Sequence, residues 1–409
     1  MNIVLEPGAA ALLDELHRAG FGAYAVGGCV RDSLLGLAPH DWDLCTAARP
    51  GQVMELFGED RCIPTGLQHG TVTVKRDGKL YEITTFRTEG RYSDGRHPDS
   101  VAFVPDLRED LARRDFTINA MAYSAEEGLC DPFGGREDLA RGVVRAVGEP
   151  LRRFGEDALR ILRLYRFAAR FGFAIDEATE AAAKQLASHL DCVSAERIEE
   201  ELNKLLAAPQ PGAYLEPEVL AFVLPELPPE ELTKARRRID ALPAGTEQVS
   251  ARWAALLLPL GETGARKALK RLKCSNARID GAVALVRECG EKTPDTLDKC
   301  DLRLQAKRLL GKYDLHTVQQ LTALWTALAP EEKASFDVLR AEAEALTAQG
   351  VCCRISQLAV NGRDLMAAGA APGPGLRREL EALLEEVITG RLPNEKAELL
   401  AFAARFSAS

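Results

Sequence analysis

Two aspartates one residue apart, Asp41 and Asp43 in His40-Asp41-Trp42-Asp43, follow a glycine pair, Gly27-Gly28, that closes an apolar run and leads into Cys29-Val30-Arg31-Asp32. In extended backbone alternate side chains share a face, so the two carboxylates would point the same way and form a seat for a divalent metal. Mg²⁺ is held by one or two carboxylates plus substrate phosphates, which is what an Asp-x-Asp strand beside a glycine turn offers a nucleotide. The chemistry implied is phosphoryl or nucleotidyl transfer. An isolated Asp-x-Asp is more often a pair of solvated surface acids, so the neighbouring motifs must decide.

A second group, Arg113-Arg114-Asp115-Phe116-Thr117-Ile118-Asn119-Ala120, mixes two guanidiniums, an acid and an amide. Read as function, the arginines meet triphosphate oxygens and Asp115 or Asn119 contacts a ribose hydroxyl, which would favour ribonucleotides. Read as structure, it is a helix start with solvated basic residues. A third group, Glu156-Asp157-Ala158-Leu159-Arg160, is expected to open a helix that continues through Arg163, Arg166 and Arg170 with its charges on one broad side. A solvated, salt-bridged face gives the same pattern. The sharper reading sets the Asp157 carboxylate and the Arg160 guanidinium side by side against a flat base. Cytosine and adenine each present an amino donor beside a ring acceptor and fit. Uracil and guanine place a carbonyl oxygen against Asp157, and a bidentate contact discriminates by ~1–3 kcal/mol. Glu82, alternating with Thr84 and Phe86, is either a third carboxylate of the metal seat or a structural acid.

The elements that must position these groups differ between the two ends of the chain. Up to residue 148 short strand-like runs alternate with helices: an amphipathic stretch at Leu12, Leu13 and Leu16, the run Ala23 to Val26, an alternating strand at Gly70 to Val74, a turn at Asp77-Gly78 and a return strand at Tyr81 to Phe86. This part is α/β in texture. After Pro150 the pattern is helical, interrupted by Gly172 and by a proline-rich junction from Pro209 to Pro229. A turn at Gly369 to Gly375 precedes a helix with Leu376, Leu380, Leu383, Leu384 and Val387 on one side.

With 409 residues the chain exceeds one ordinary domain of ~150 residues. No stretch approaches the ~18 unbroken apolar residues of a membrane span, and the first residues carry no secretory pattern, so a cytoplasmic protein without membrane contact is expected. The ten cysteines form no Cys-x-x-Cys pair and have no histidine at zinc spacing, which reads as reduced packing residues. The net charge of −9 argues against generic adhesion to nucleic acid, but basic residues cluster from Arg152 to Arg170 and from Arg266 to Lys273, so any such contact is expected to be local. The histidines are dispersed, so no appended metal phosphohydrolase domain is expected, and His40 reads as structural.

Together these residues resemble the class II tRNA nucleotidyltransferases of the polymerase-beta superfamily, bacterial CCA-adding enzymes of Bacillus type in particular. Gly27 to Asp32 with Asp41-Trp42-Asp43 is similar to that family's first motif, and Arg113 to Ala120 to its ribose-selecting second. Asp131-Pro132-Phe133-Gly134-Gly135 resembles the hinge motif, Glu156 to Arg160 the amino-acid template for CTP and ATP, and Ser194 to Ile198 the helix start that supports it. Asn361 to Leu365, Pro372-Gly373-Pro374 and Gly390 to Asn394 resemble the tail. The stretch from Pro225 to Thr347 carries no signature beyond helicity.

The resemblance implies an α+β nucleotidyltransferase head of polymerase-beta type (residues 1–148), followed by an all-α neck (149–208), body (209–330) and tail (331–409), the last two binding tRNA. It implies that Asp41 and Asp43 are catalytic and carry Mg²⁺, that Gly28 and Arg31 touch the triphosphate, and that Arg114 and Asp115 hold the ribose. Asp157, Arg160, Arg163 and Arg166 would read the base or hold phosphates. The partners implied are CTP, ATP and the 3′ end and acceptor arm of tRNA, whose 3′-hydroxyl attacks the α-phosphorus between two metals ~3.5–4 Å apart. Arg87 to Asp99 resembles a flexible loop that helps the site switch from C to A. Two other readings stand: a poly(A) polymerase or A-adding enzyme with the same head, and an RNA-binding protein on a dead transferase head. Oligomeric state leaves no mark in the sequence.

Overall fold

The apolar run ahead of the glycine pair folds as a strand, Ala23–Val26, buried along its whole length, in a computed structural model that describes residues 3–90, 100–291 and 301–406. A strand covered on both faces reads as a continuous apolar run, which is why Ala-Tyr-Ala-Val shows no alternation. It lies inside a seven-stranded sheet in the order Cys62–Gly66, Thr71–Arg76, Lys79–Thr85, Leu44–Thr46, Ala23–Val26, Ala122–Ser124, Gly128–Cys130. All neighbours are antiparallel except Leu44–Thr46 and Lys79–Thr85, which run parallel with Leu44 opposite Ile83. The expected hairpin turns at Asp77 and Gly78, with φ of 49° and 79°. Positive φ at both central positions is what a two-residue hairpin turn demands. Tyr24, Val26, Cys45, Phe86 and Leu111 pack into one core on this sheet.

The chain divides into two compact units, Met1–Pro225 and Glu226–Ser409. That division falls inside the stretch expected to be the body. In the first unit the sheet is followed by helices Pro150–Glu156, Leu159–Phe171, Glu177–Gln185 and Ala195–Leu206. The helix expected to open at Glu156 begins instead at Leu159. Pro150–Glu156 is a helix of its own, and Asp157 between the two is extended at φ −144°, ψ 105°. The Asp157 carboxylate accepts the Leu159 N–H at 3.0 Å, so the acid stops one helix and starts the next. The proline-rich junction holds a short helix, Pro217–Val223, between turns.

The second unit is helical. Trp253 and Trp325 are fully buried, and the Trp325 and Phe336 rings meet at 5.8 Å. Asp301 and Asp314 cap Leu302–Lys312 and Leu315–Leu328 by accepting the N–H groups of Leu304 and Thr317. At the end Leu358, Val360, Leu365, Leu383 and Leu399 form a separate small core beneath the helix Pro374–Ile388, which carries the leucine face expected of it.

Candidate active site

Asp41 and Asp43 lie in the segment just ahead of the strand Leu44–Thr46, not within it. Asp43 is nevertheless fixed, because its carbonyl accepts the Val26 N–H at 3.0 Å. The parallel register that pairs Leu44 with Ile83, run back one residue, sets Asp43 beside Glu82. Glu82 projects from the strand between buried Tyr81 and Ile83. Asp43 is exposed as a residue, while surrounding protein atoms partly desolvate its carboxyl. Desolvation raises its pKa from the ordinary aspartate value; the Glu82 charge raises it further, Arg114 opposes, and Asp41 adds to the rise. Among the described residues no three His, Cys, Asp or Glu side chains converge to hold a metal on their own. A few crowded carboxylates fit a divalent cation that takes its remaining ligands from substrate oxygens.

Gly27 makes the approach of Arg114 possible. Its φ is +77°, and a Cβ at this position would come within 2.9 Å of Arg114 Nη1. Arg114 Nη2 reaches the fully buried Asp110 at 3.4 Å, while Arg114 Nε is buried and meets no acceptor among the described residues. Gly28 opens the helix Gly28–Leu34, which carries Arg31 and Asp32.

Arg31 is 3% exposed. Its Nε donates to Asp32 Oδ1 at 2.8 Å, Nη1 donates to Asn119 Oδ1, and the guanidinium lies over the rings of Phe167 and Phe171 at 5.2 and 4.9 Å. A desolvated cation over an aromatic face gains ~2 kcal/mol, which offsets part of the cost of burying it. Asp115 is also buried. Oδ1 accepts the Phe116 N–H at 2.8 Å and Asn119 Nδ2 at 3.0 Å, and Oδ2 accepts Arg163 Nε at 2.9 Å. Burial alone would raise its pKa, but Arg163, Asn119 and Arg160 outweigh that and hold it well below the usual carboxylate range.

In the reader group Asp157 Oδ2 accepts Arg197 Nη2 at 2.8 Å. Arg160 is 9% exposed, and its Nη1 donates to the Arg153 carbonyl at 2.9 Å and to Glu156 Oε2 at 2.8 Å. Its Nη2 donates to the Arg113 carbonyl at 3.2 Å. The Arg160 N–H donates to the Asp157 carbonyl at 3.1 Å, but the two side chains are held by separate partners. Arg166 pairs with the buried Glu201 at 2.8 Å and lies 4.1 Å over Phe167; burial lowers its pKa to about 10 despite Glu201. The stem of the expected loop forms a hairpin, Arg87–Glu89 with Val101–Phe103, whereas residues 91–99, including Asp94 to Asp99, lie outside the described residues.

Every residue expected at the site lies in the first compact unit. The glycine turn, Arg114 and Asp43 come together, as do Asp115 and Arg163. Sequence reasoning passed over Asp110, Glu201, Arg170, Phe167 and Phe171 as partners of these groups. Glu201 left a signal, because it stands in the buried stripe of Ala195–Leu206 among Ile198, Leu202 and Leu205. A charge in an apolar stripe requires a buried partner.

The mixed sheet, the aspartates at the start of one strand and the glycine-turn helix define a nucleotidyltransferase head, and residues 23–145 match the family described as Poly A polymerase head domain. Residues 172–228 match the family described as Probable RNA and SrmB- binding site of polymerase A, and 245–403 the family described as tRNA nucleotidyltransferase domain 2 putative. The CCA-adding enzyme of Limosilactobacillus fermentum is 38% identical over 405 residues, covering 95% of this chain and 94% of its own length. That of Geobacillus stearothermophilus is 38% identical over 405 residues, covering 96% and 95%. Among solved structures, the Bacillus stearothermophilus CCA-adding enzyme in complex with CTP is similar at a TM-score of 0.81 and 33% identity, over 99% of this chain and 98% of that one. The chain belongs to the CCA-adding enzymes.

Proposed function

We propose that this protein adds C, C and A to the 3′ end of tRNA from CTP and ATP, releasing pyrophosphate at each step. The observation that carries the reading is the continuity between the two halves of the site. Arg114, whose charge acts on Asp43, is followed directly by Asp115, and Asp115 is bonded to Arg163 one turn beyond Arg160 on the reading helix. The family resemblance runs through nearly the whole chain, which favours tRNA over an enzyme sharing only the head.

In this reading Asp41 and Asp43, with Glu82 beside them, hold Mg²⁺, which when bound polarises the α-phosphate and the attacking oxygen. Arg114, partly exposed beside the Gly27 turn, meets the ribose or the triphosphate through the accessible edge of its guanidinium. Gly28 and Arg31 shape the turn beneath the phosphates, and Asp115 meets the ribose or orients Arg163. Asp157 and Arg160 read the amino-bearing edge of cytosine or adenine, with Arg163 and Arg166 behind them. The tRNA 3′-oxygen forms the new bond to the α-phosphorus as the bond from the α-phosphorus to the α,β-bridging oxygen breaks; the hydroxyl proton passes to solvent water and the bridging oxygen leaves with its electron pair on pyrophosphate.

We assign residues 1–148 to the head, 149–208 to the neck, 209–330 to the body and 331–409 to the tail, the last two binding tRNA. A cytoplasmic site of action accords with nine free cysteines and no helix long and apolar enough to cross a membrane, both among the described residues. Sequencing the product made on a tRNA truncated before its terminal triplet tests the reading. CCA is expected from CTP plus ATP, whereas long tails from ATP alone would establish a poly(A) polymerase.

A further inference from the structure

We propose that Phe167, Phe171 and the Asp32–Arg170 pair are positioning residues. They fix the register of the reading helix Leu159–Phe171 against the glycine-turn helix Gly28–Leu34, so that a nucleotide gripped by its base presents its α-phosphate in line at Asp41 and Asp43. The inference rests on the reading of the site given above.

Three observations support it. Arg31 leaves the glycine-turn helix and ends over the two rings of the reading helix, which lie parallel to within 3° at a centroid distance of 6.3 Å. From the reading helix Arg170 reaches back to Asp32 Oδ2 at 3.2 Å and covers Phe171 at 4.9 Å, so Asp32 is shared by one arginine from each helix. Phe167 also meets Phe116 edge-on at 5.8 Å, and the Phe116 N–H is bonded to Asp115, the acid that holds Arg163.

An apolar seam would join the two helices with no buried charge to compensate. Asp32 and Asn119 hold the Arg31 guanidinium in place from its own side, so a slide or rotation of the reading helix would cost the two ring faces and the Arg170–Asp32 pair together. Catalysis by positioning is sensitive at this scale: a displacement of ~1 Å at the reacting atoms costs on the order of a hundred-fold in rate.

The test uses the full chain, a tRNA lacking its terminal triplet, and separate incorporation of CMP and UMP, with thermal unfolding followed in parallel. Phe171→Leu keeps apolar volume and removes the ring face; Arg170→Gln changes a half-exposed side chain and tests the pair even if the first variant fails to fold. Both are expected to lower kcat for CTP by about ten-fold with KM changed less than about two-fold, and to raise the UTP to CTP ratio. Phe171→Tyr and Arg170→Lys are expected to restore most of the rate. In the Asp32→Asn/Arg170→Gln double variant kcat should fall no further than in the worse single variant. Unchanged kcat in both folded single variants, a rise in KM alone, or no rescue by the conservative variants would overturn the proposal. A wild-type chain that incorporates neither nucleotide would overturn the underlying reading as well, which separates the two failures.

Discussion

Asp43 and Glu82 are neighbours across the parallel pair Leu44–Thr46 and Lys79–Thr85, and among the charges around Asp43 that of Glu82 acts most strongly. Two carboxylates brought together on an open sheet face repel each other unless a cation lies between them. Glu82→Gln is therefore expected to lower nucleotidyl transfer by at least about ten-fold and to raise the metal concentration needed for half-maximal rate. Pyrophosphate release during metal titration measures both. A variant with wild-type rate and metal response would make Glu82 a structural acid.

Asp157 stops one helix, starts the next and is held by Arg197. Removing its carboxylate in Asp157→Ala should relax discrimination against UTP by about 1–3 kcal/mol, roughly 10- to 100-fold in relative incorporation, without changing the metal requirement. Arg197→Gln should move selectivity the same way by less, since the Leu159 N–H still orients the acid. Single-nucleotide incorporation with CTP and UTP reads both variants, and unaltered selectivity in Asp157→Ala would remove that residue from base reading.

The sheet and the glycine turn were legible because local signals carry them: a fully apolar strand, a glycine pair, and Asp77-Gly78 at a turn that only positive φ allows. The nearness of Asp41 and Asp43 to each other was legible through their spacing. The break at Asp157 was not, because Glu156 to Arg160 has ordinary helix composition and the interruption comes from a side-chain bond to Leu159. Nor could spacing reveal that Arg31 ends over Phe167 and Phe171, or that Glu201 meets Arg166, since those pairs join segments far apart in the chain. Arginines that resemble phosphate ligands by motif prove, in Arg31 and Arg160, to be largely engaged by other protein groups.

Gly27 combines a left-handed φ of +77° with the 2.9 Å approach of Arg114 Nη1 to the place a Cβ would occupy. Gly27→Ala is expected to cost about 1–3 kcal/mol of stability through backbone strain. It should also displace Arg114, so activity should fall by more than loss of folded protein accounts for. Activity per folded molecule, with the folded fraction taken from thermal melts, separates the effects; a loss that tracks the folded fraction alone would mean Arg114 tolerates the shift.

Glu216, at the start of the helix Pro217–Val223, faces Glu218 and Glu180, with Lys184 Nζ at 3.6 Å. Burial and a hydrogen bond with Glu218 raise its pKa from the ordinary 4.5 to about 7, with Lys184 opposing. The folded state therefore holds this proton more tightly than the unfolded chain does. The stabilisation is fully present below about pH 4.5 and is lost as pH rises through about 7. Discounted for partial solvent screening, the change is about 1 kcal/mol. Glu216→Gln carries no titrating group, so it should gain stability relative to wild type between pH 5 and pH 8, on top of any constant cost from losing the Lys184 contact. Denaturant unfolding of both proteins at the two pH values measures this, and a difference independent of pH would show that the carboxyl pair does not share a proton in the folded chain.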